Sequence, residues 1–279
     1  PFTASVDFEK IPCFGSTYYN FNNGIFSKMA DYLGYRAKMG VTTPSTNTVV
    51  QPEYDNMRPT GVTNHLARMH IENIDTVDNT SFDKSIELID AGLDEAVDRV
   101  MTCEPDYLVL GISALSVWGG TLASVEDLRA RMRSRAKRDI GITLAVDGVR
   151  EALKLHGVKK KISIVEPYYK SIEPKMEGIF NELGYEIVKY NHLEGKSPAT
   201  YCHLTAEQIV DAFKKIDDPS VECLVQFGAN LPGARIADEA ERWLGKPVIS
   251  INAVTYWHAL RSFGIKDQFT GFSSLFSKF

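Results

Sequence analysis

The chain has 279 residues, of which 44% are hydrophobic and 24% charged, a composition typical of a globular protein long enough for two subdomains. Its formal net charge of −5 argues against nucleic acid or an anionic membrane as the main partner. No apolar run approaches the roughly 20 residues of a membrane span and no secretory signal pattern opens the sequence, so we expect a cytoplasmic protein.

Residues 1–37 differ from the rest of the chain because they are crowded with aromatic side chains. An Asn-Asn-Gly turn pattern at 22–24 and a short helical pattern at 25–33 lie among them. Large aromatic side chains normally pack against another surface. We therefore expect an N-terminal extension that clasps the main body or a neighbouring subunit of a homo-oligomer.

The first half of the chain alternates between strand and helix patterns. Short apolar segments at 39–43, 62–71, 106–110 and 142–146 predict strands, and the first of them ends at Pro44. Residues 122–135 predict a charged surface helix. A single amphipathic helix is predicted between the second and third strands, because its apolar residues recur every three or four positions: Phe82, Ile86, Ile89, Leu93, Val97 and Val100.

The second half repeats this plan. Strands are predicted at 161–165, 185–189, 221–227 and 247–251, and the first of these ends near Pro167. Helices are predicted at 171–183, 205–216 and 236–244, with Thr205 as the N-cap of the second. Strands that alternate with helices favour right-handed β-α-β units and parallel sheets.

The sequence therefore predicts an α/β protein of two similar Rossmann-like lobes with a cleft between them. We assign 38–157 and 252–279 to the first lobe and 158–251 to the second. Ligands in open α/β sheets bind at the carboxyl ends of the strands. The loops that follow the strands are therefore the places to search for chemistry.

Four such loops carry polar or glycine-rich sequences. The loop 43–48 contains hydroxyls and an amide that could cap a helix or hold a carboxylate at its positive end. The loop 111–116 places Ser113 on a strand-to-helix turn, as in a nucleophile elbow that lacks its second glycine. The turn 226–232 exposes backbone N–H groups that could bind an oxyanion. The segment 166–169 carries two adjacent tyrosines.

These motifs resemble those of the maleate isomerase and arylmalonate decarboxylase branch of the aspartate/glutamate racemase superfamily. The stretch 41–50 is similar to the Pro-Ser-Ser-Asn-Thr end of that family's first strand, and 61–69 to its second strand. Glu166-Pro167-Tyr168 is similar to its Thr-Pro-Tyr motif. Residues 230–231, 241–245 and 247–250 match its C-terminal signature. The similarity covers about residues 38–265.

The resemblance implies an enzyme that uses no metal or organic cofactor and binds a small-molecule carboxylate substrate. Ser45 and Asn47 would grip one carboxylate of a small dicarboxylic acid, and Tyr168 would donate to a substrate carboxylate. Ser113 would belong to an oxyanion-binding turn opposite Gly228. The resemblance assigns the remaining substrate contacts to Ala114, Ala229 and Asn230.

The family's two cysteine positions fall near Ile112 or Ser113 and at Gly228, and neither position is cysteine here. The four cysteines are scattered and form no C-x-x-C pair, so we expect reduced thiols without a zinc site or disulfide scaffold: Cys13, Cys103, Cys202 and Cys223. We therefore predict a lyase or isomerase that stabilises an enediolate-like intermediate of a dicarboxylic acid without thiol chemistry.

Two other functions stay open at this point. One is a serine hydrolase of a small amide or ester, with Ser113 as nucleophile, His258 as base and Asp238 as acid. The other is a protein that binds a dicarboxylate without turnover. The chain has no phosphate-loop or dinucleotide fingerprint, so nucleotide binding is disfavoured.

Overall fold

A computed structural model describes residues 31–279 of the protein. Two four-stranded parallel sheets form its centre. The first contains β1 (Ala37–Pro44), β2 (Val62–Met69), β3 (Tyr107–Leu110) and β4 (Gly141–Thr143), in the order β2-β1-β3-β4. The second contains β5 (Lys161–Glu166), β6 (Glu186–His192), β7 (Cys223–Gln226) and β8 (Val248–Ser250), in the order β6-β5-β7-β8. The predicted α/β fold with two similar parallel sheets is confirmed.

Helices connect the strands and cover the sheets. In the first half these are α1 (Val50–Met57), α2 (Asn79–Ala91), α3 (Leu93–Met101), α4 (Ser113–Val117), α5 (Leu122–Ala136) and α6 (Ala145–Leu155). In the second half they are α7 (Glu173–Glu182), α8 (Ala206–Ile216), α9 (Ala234–Leu244), α10 (Ile251–Phe263) and α11 (Ser274–Lys278). Two 3₁₀ helices span Lys170–Ile172 and Pro198–His203. Among the described residues, no helix is long and apolar enough to cross a membrane.

The single helix predicted from Phe82 to Val100 is wrong, because the chain forms α2 and α3 with Gly92 between them. The apolar stripe does continue through both helices. At Gly92 the backbone packs against Met69 at the end of β2, where an added Cβ would lie 3.2 Å from the Met69 Cβ. The apolar stripe predicts which face of the helices is buried, but it does not predict that α2 ends and α3 begins at Gly92.

Local sequence features determine where several helices and strands begin or end. The Thr205 hydroxyl accepts a hydrogen bond from the Gln208 N–H and caps α8, as predicted. The apolar segment at 142–146 is divided, because the Asp147 carboxylate accepts from the Leu144 N–H at 2.8 Å and starts α6. Strand β6 runs to His192, three residues further than predicted.

The main apolar core joins the two sheets instead of stopping at one of them. It includes side chains of β1 and β3 from the first sheet and of β5 and β7 from the second. A smaller core lies between α8, α9 and the second sheet. Helix α10 packs on α6 and α1. Most of the predicted N-terminal extension, residues 1–30, lies outside the described residues, so its role stays a prediction.

Candidate active site

The carboxyl ends of the two sheets face each other, and Asn230 links them. Its side-chain oxygen accepts a hydrogen bond from the Thr48 N–H of the first half at 2.9 Å. Its amide nitrogen donates to the Pro198 carbonyl of the second half at 2.7 Å. Asn230 is 8% exposed. The loops that follow β1, β3, β5 and β7 therefore meet at one place, where α/β folds bind ligands.

Ser113, Tyr168 and Ala229 form a hydrogen-bonded group at this junction. The Ser113 hydroxyl lies 2.8 Å from the Tyr168 hydroxyl, and the Ala229 N–H donates to the Ser113 oxygen at 3.1 Å. Burial raises the pKa of the Tyr168 phenol, and the nearby backbone N–H groups of Ala229 and Ala114 partly offset this rise. One backbone donor and two hydroxyls thus lie within hydrogen-bond distance of one another at the junction.

The Tyr168 side chain is buried and held by aromatic contacts. Its ring stacks on Phe82 with centroids 5.3 Å apart and meets Tyr201 edge-on at 5.9 Å. Burial raises the pKa of the Tyr168 phenol, and the hydrogen bond with Ser113 lowers it only in part. The phenol is therefore neutral at pH 7 and can donate a proton. The neighbouring Tyr169 hydroxyl instead donates to the Thr76 carbonyl at 2.6 Å.

The turn at Gly228 is oriented by side-chain amides. The Gln226 amide donates to the Gly228 carbonyl at 2.8 Å, and the Ser250 hydroxyl donates to the Gln226 oxygen at 2.8 Å. The Asn252 amide donates to the Ala229 carbonyl at 3.0 Å. These amides hold the carbonyls of Gly228 and Ala229, and the Ala229 N–H points toward Ser113 and donates to its oxygen.

Gly228 also lies in close contact with Pro167. A Cβ added at Gly228 would lie 2.4 Å from the Pro167 Cδ, which is far inside van der Waals contact. Any side chain at this position therefore requires the Pro167–Tyr168 turn to move. Gly228 contributes backbone to the junction, not a functional side chain.

A small cavity of about 30 Å³ lies beside the Tyr168 phenol, and most of its wall is apolar. Its polar side chains are amides and hydroxyls, and among residues 31–279 no lysine, arginine, histidine or carboxylate lines it. The lining residues are Pro44, Thr46, Asn47, Phe82, Ser85, Ile86, Ile89, Ile112, Ala114, Tyr168, Pro198, Tyr201, Ala229 and Asn230.

Asn47 and Ser45 occupy different positions relative to this cavity. The Asn47 oxygen accepts from the N–H groups of Val49 and Val50 at 3.0 and 2.9 Å, while its amide nitrogen makes no hydrogen bond to another described residue. Asn47 lines the cavity. The Ser45 hydroxyl is instead engaged with the backbone of Ile71, and Ser45 does not line the cavity.

Two carboxylates behind the site have hydrogen-bond partners that the sequence does not indicate. Glu53 of α1 accepts from the Asn252 amide at 2.7 Å and from the Ala234 N–H at 3.0 Å. Burial raises the pKa of Glu53 to about 7. Glu166 contacts the Tyr168 N–H and His192. Both come from contacts between distant segments, so no local spacing could reveal them.

The residues needed for a serine hydrolase lie apart. The His258 ring nitrogen bonds the Thr143 hydroxyl at 2.9 Å, and Asp238 pairs with Arg242 at 2.6 Å. The hydrogen-bond partners of the Ser113 hydroxyl are Tyr168 and Ala229. Within residues 31–279, Ser113 therefore has no histidine base, and the geometry does not support the nucleophile that hydrolysis requires.

The three described thiols lie outside the cavity wall. Cys223 is fully buried in β7, where burial raises its pKa. Cys103 follows α3, and burial raises its pKa too. Cys202 donates to the Ala199 carbonyl at 3.2 Å. Cys13 lies outside the described residues. In the part of the chain that the structure describes, no group of three or more metal-binding side chains could hold a metal ion.

Comparison with known families finds one that spans this fold. The family model described as arylmalonate decarboxylase matches residues 40–276. A curated relative, the maleate isomerase of Alcaligenes faecalis, is 22% identical over 243 residues, which cover 83% of this chain and 92% of the relative.

Solved structures share the same architecture. Nocardia farcinica maleate cis-trans isomerase bound to TRIS has a TM-score of 0.75 at 20% identity, covering 86% of this chain and 98% of that one. A mutant of that isomerase with a covalently bound succinylcysteine intermediate has a TM-score of 0.76 at 19% identity, covering 87% and 98%. An arylmalonate decarboxylase has a TM-score of 0.65 at 17% identity, covering 87% and 100%.

Proposed function

The chain belongs to the arylmalonate decarboxylase family, and on that premise we propose that it removes carbon dioxide from a small malonate-type dicarboxylic acid without a thiol. The single observation that carries this proposal is the cavity beside Tyr168. It combines a cluster of hydrogen-bond donors at one end with an apolar wall along the rest. We also propose that the reaction needs no cofactor, since these donors can hold the developing charge.

The donors suit one carboxylate of the substrate. Ala114, Tyr168 and Ala229 all line the cavity, and the N–H groups of Ala114 and Ala229 lie near the Tyr168 hydroxyl. A carboxylate bound there receives the extra charge when its neighbouring C–C bond breaks. Preorganised donors of this kind contribute roughly 2.7–4 kcal/mol each to the stability of a transition state.

One of the two possible directions of the hydrogen bond between the Ser113 and Tyr168 hydroxyls suits proton donation. The Ala229 N–H donates to the Ser113 oxygen. If the Ser113 hydroxyl then donates to the Tyr168 oxygen, the phenolic proton of Tyr168 is left to point at the ligand. We assign Tyr168 as the proton donor and Ser113 as the group that supports it.

The proposed reaction runs in two steps. The bond between the α-carbon and the second carboxylate breaks, carbon dioxide leaves, and the electron pair passes into the bound carboxylate to form an enediolate. Tyr168 then gives its phenolic proton to the α-carbon, and water returns a proton to the phenolate. A positioned acid contributes typically about 10²–10⁴-fold to such a step.

The apolar wall favours decarboxylation over isomerisation of a substrate such as maleate. Both carboxylates of maleate persist in the product, and the second would need a lasting partner. The wall beyond Asn47 offers Phe82, Ile86 and Ile89. A carboxylate desolvated against such side chains is destabilised, and losing it as neutral carbon dioxide relieves that cost. The substituent of the product then occupies an apolar surface.

The thiol-free step is supported by the close contact at Gly228. Pro167 fills the space that a side chain at that position would need. The succinylcysteine of the Nocardia farcinica mutant shows that a relative works through a covalent thiol. We propose that Asn47 contacts the second carboxylate before it leaves. Ser45 instead maintains the conformation of the loop 43–48 through its hydrogen bonds with the Ile71 backbone.

The test is a substrate panel analysed by product mass. Phenylmalonate, alkylmalonates, maleate and the corresponding amides are incubated with the enzyme and with its Tyr168→Phe variant. We expect loss of carbon dioxide from malonates that carry an apolar substituent. Fumarate formed from maleate would show an isomerase instead, and hydrolysis of the amides would show a hydrolase. Tight binding without turnover of any acid would show a binding protein.

A further inference from the structure

A charged cluster lies directly beneath the Tyr168 turn. Glu166 is the last residue of β5, and its carboxylate is fully buried. One carboxylate oxygen accepts a hydrogen bond from the backbone N–H of Tyr168, two residues further along the chain. The other oxygen is bonded to Nδ1 of His192. The carboxylate therefore connects the backbone of Tyr168 to a neighbouring strand.

His192 is held between two carboxylates. It is the last residue of β6 and pairs with Glu166 in the sheet register. Its Nε2 lies 2.8 Å from the Glu173 carboxylate of α7. Burial lowers the pKa of His192, but the hydrogen bonds to Glu166 and Glu173 outweigh this and raise it to about 9. Burial raises the pKa of the Glu166 carboxyl, and the hydrogen bond and charge of His192 act against that rise. At neutral pH the imidazolium donates from both nitrogens and so favours the ionised form of Glu166.

A buried carboxylate is an energetically unfavourable group with which to fix a turn. Taking a charge out of water costs several kcal/mol, and a neutral group of similar size often packs as well. The equivalent position at the end of β1 is Thr43, whose neutral hydroxyl donates to the Gly111 carbonyl after β3. The charged residue, Glu166, stands at the strand end that is followed two residues later by the phenol of Tyr168.

Other titratable groups face this cluster from each neighbouring element. Tyr190 of β6 stacks on the His192 ring with centroids 5.6 Å apart, and burial together with Glu177, Glu173 and Glu166 raises its pKa. Tyr168 and Tyr201 lie on the cavity side of Glu166. These tyrosines stay neutral at pH 7, so His192 is the cation that balances Glu166.

We propose that Glu166 is a positioning residue that fixes the Tyr168 phenol in the cavity through the Tyr168 backbone N–H, and that His192 holds Glu166 as a carboxylate. The role in turnover rests on the proposed function. The positional role does not, because it concerns the geometry of the free protein. Deprotonation of His192 removes the charge that balances Glu166 and loosens the turn.

The first test reads the turn without any substrate. Protein labelled with ¹⁵N-tyrosine is titrated between about pH 7 and pH 11, a range that includes the pKa of a carboxylate-paired histidine. The Tyr168 amide signal, assigned with Tyr168→Phe, should titrate with a midpoint near 9. Glu173→Gln should lower that midpoint. Glu207→Gln, an exposed change on α8, should leave it in place.

The second test uses turnover on the malonate identified in the panel. Glu166→Gln should lower kcat about tenfold or more with little change in KM, since a misplaced group costs up to about a hundredfold. The alkaline limb of the kcat profile should follow the amide midpoint, and Glu173→Gln should move both together. Glu207→Gln again serves as the control.

Three outcomes would overturn the proposal. A Tyr168 amide that does not titrate with His192 would remove the link, whatever the enzyme catalyses. If Glu173→Gln shifts the midpoint of the Tyr168 amide titration but leaves the alkaline limb of the kcat profile in place, the cluster has a structural role only. Equal kcat for Glu166→Gln and the wild type would do the same. If Glu166→Gln fails to fold, the Glu173→Gln titration still decides. A titrating amide in a protein without decarboxylase activity would sink the proposed function alone.

Discussion

The ends of β1 and β5 are equivalent positions in two similar sheets, and the protein closes them with different chemistry. Each strand ends next to a proline, Pro44 in the first sheet and Pro167 in the second. The Thr43 hydroxyl donates to the Gly111 carbonyl at 2.9 Å. Glu166 instead uses a carboxylate that contacts the Tyr168 N–H and His192. The first end is neutral, and the second is a buried ion pair.

The difference shows how one architecture divides the work of a site. The first sheet supplies the Ser113 hydroxyl and the Ala114 N–H, which do not titrate near neutral pH. The second supplies an ionisable phenol and the charged groups beneath it. We therefore expect substitutions at the second sheet to change turnover and its pH dependence. Substitutions at the first sheet, apart from those at Ser113 and Asn47, should act mainly through packing.

The largest expected effect separates two neighbouring phenols of the second sheet. Tyr168→Phe removes the hydroxyl that contacts Ser113, and kcat on a malonate substrate should fall about a hundredfold. Tyr169→Phe removes a hydroxyl bonded only to the Thr76 carbonyl, and kcat should change by less than about threefold. Both are measured by carbon dioxide release. Similar small losses from both would show that Tyr168 does not act in the reaction.

A second comparison uses the glycines that follow β3 and β7. Gly228→Ala places a Cβ 2.4 Å from the Pro167 Cδ, and overpacking of this kind costs about 1–3 kcal/mol. At Gly111 the closest contact would be 3.0 Å, to the tip of the Val50 side chain. Denaturant unfolding should therefore rank Gly228→Ala as clearly less stable than Gly111→Ala. The reverse order would mean that the Pro167 turn yields easily.

Glu53 is a buried carboxylate on the first-sheet side, and it predicts a pH-dependent stability. Its pKa is raised from 4.5 to about 7 by burial. A raised carboxyl pKa favours the neutral form in the folded state, so its contribution is present below pH 4.5 and is lost as pH rises through about 7. Glu53→Gln should therefore stabilise the protein by about 1–3 kcal/mol more at pH 8 than at pH 4.

Glu222 is the matched control for this titration. Its carboxylate accepts from the N–H groups of Lys159, Lys160 and Lys161, and these bonds lower its pKa. The sign is opposite, so Glu222→Gln should cost stability at pH 8 and less as pH falls through the lowered pKa. Thermal unfolding of both variants at the two pH values gives the comparison. Parallel behaviour of the two variants would contradict the assignment of Glu53.

The smallest expected effects are at the described thiols. Single changes of Cys103, Cys202 and Cys223 to Ser should leave kcat within about tenfold, or about 1.4 kcal/mol of barrier. None of the three lines the cavity. A thousandfold loss at one of them in a folded variant would restore a thiol to the reaction.

The fold was predictable because its signals are local. Apolar strands, amphipathic helices and the caps of α5 and α8 are written in spacings of a few residues. Parallel pairing then follows from the alternation of strands and helices. The same logic placed Ser113, Tyr168 and Gly228 on loops at one edge, and these loops do meet. The division between α2 and α3 at Gly92 was missed because the apolar stripe continues across it.

The network behind the site was not predictable from the sequence. Glu166 was read as part of a motif that carries Tyr168, but its partner His192 lies 26 residues further along and joins it only through the pairing of β5 with β6. Asn252 is 199 residues from Glu53. Such contacts depend on the register and packing of the sheets, and no window of sequence contains both partners.

The most direct test of the account is a crystal structure with an unreactive product, an arylacetate. We predict that one carboxylate oxygen lies about 2.7–3.1 Å from the backbone nitrogens of Ala114 and Ala229, with the Ala229 N–H shared between the ligand and the Ser113 oxygen. The other should contact the Tyr168 hydroxyl, with the aryl group against Phe82 and Ile86. An arylacetate bound elsewhere, or bound here with its carboxylate away from these donors, would contradict the account.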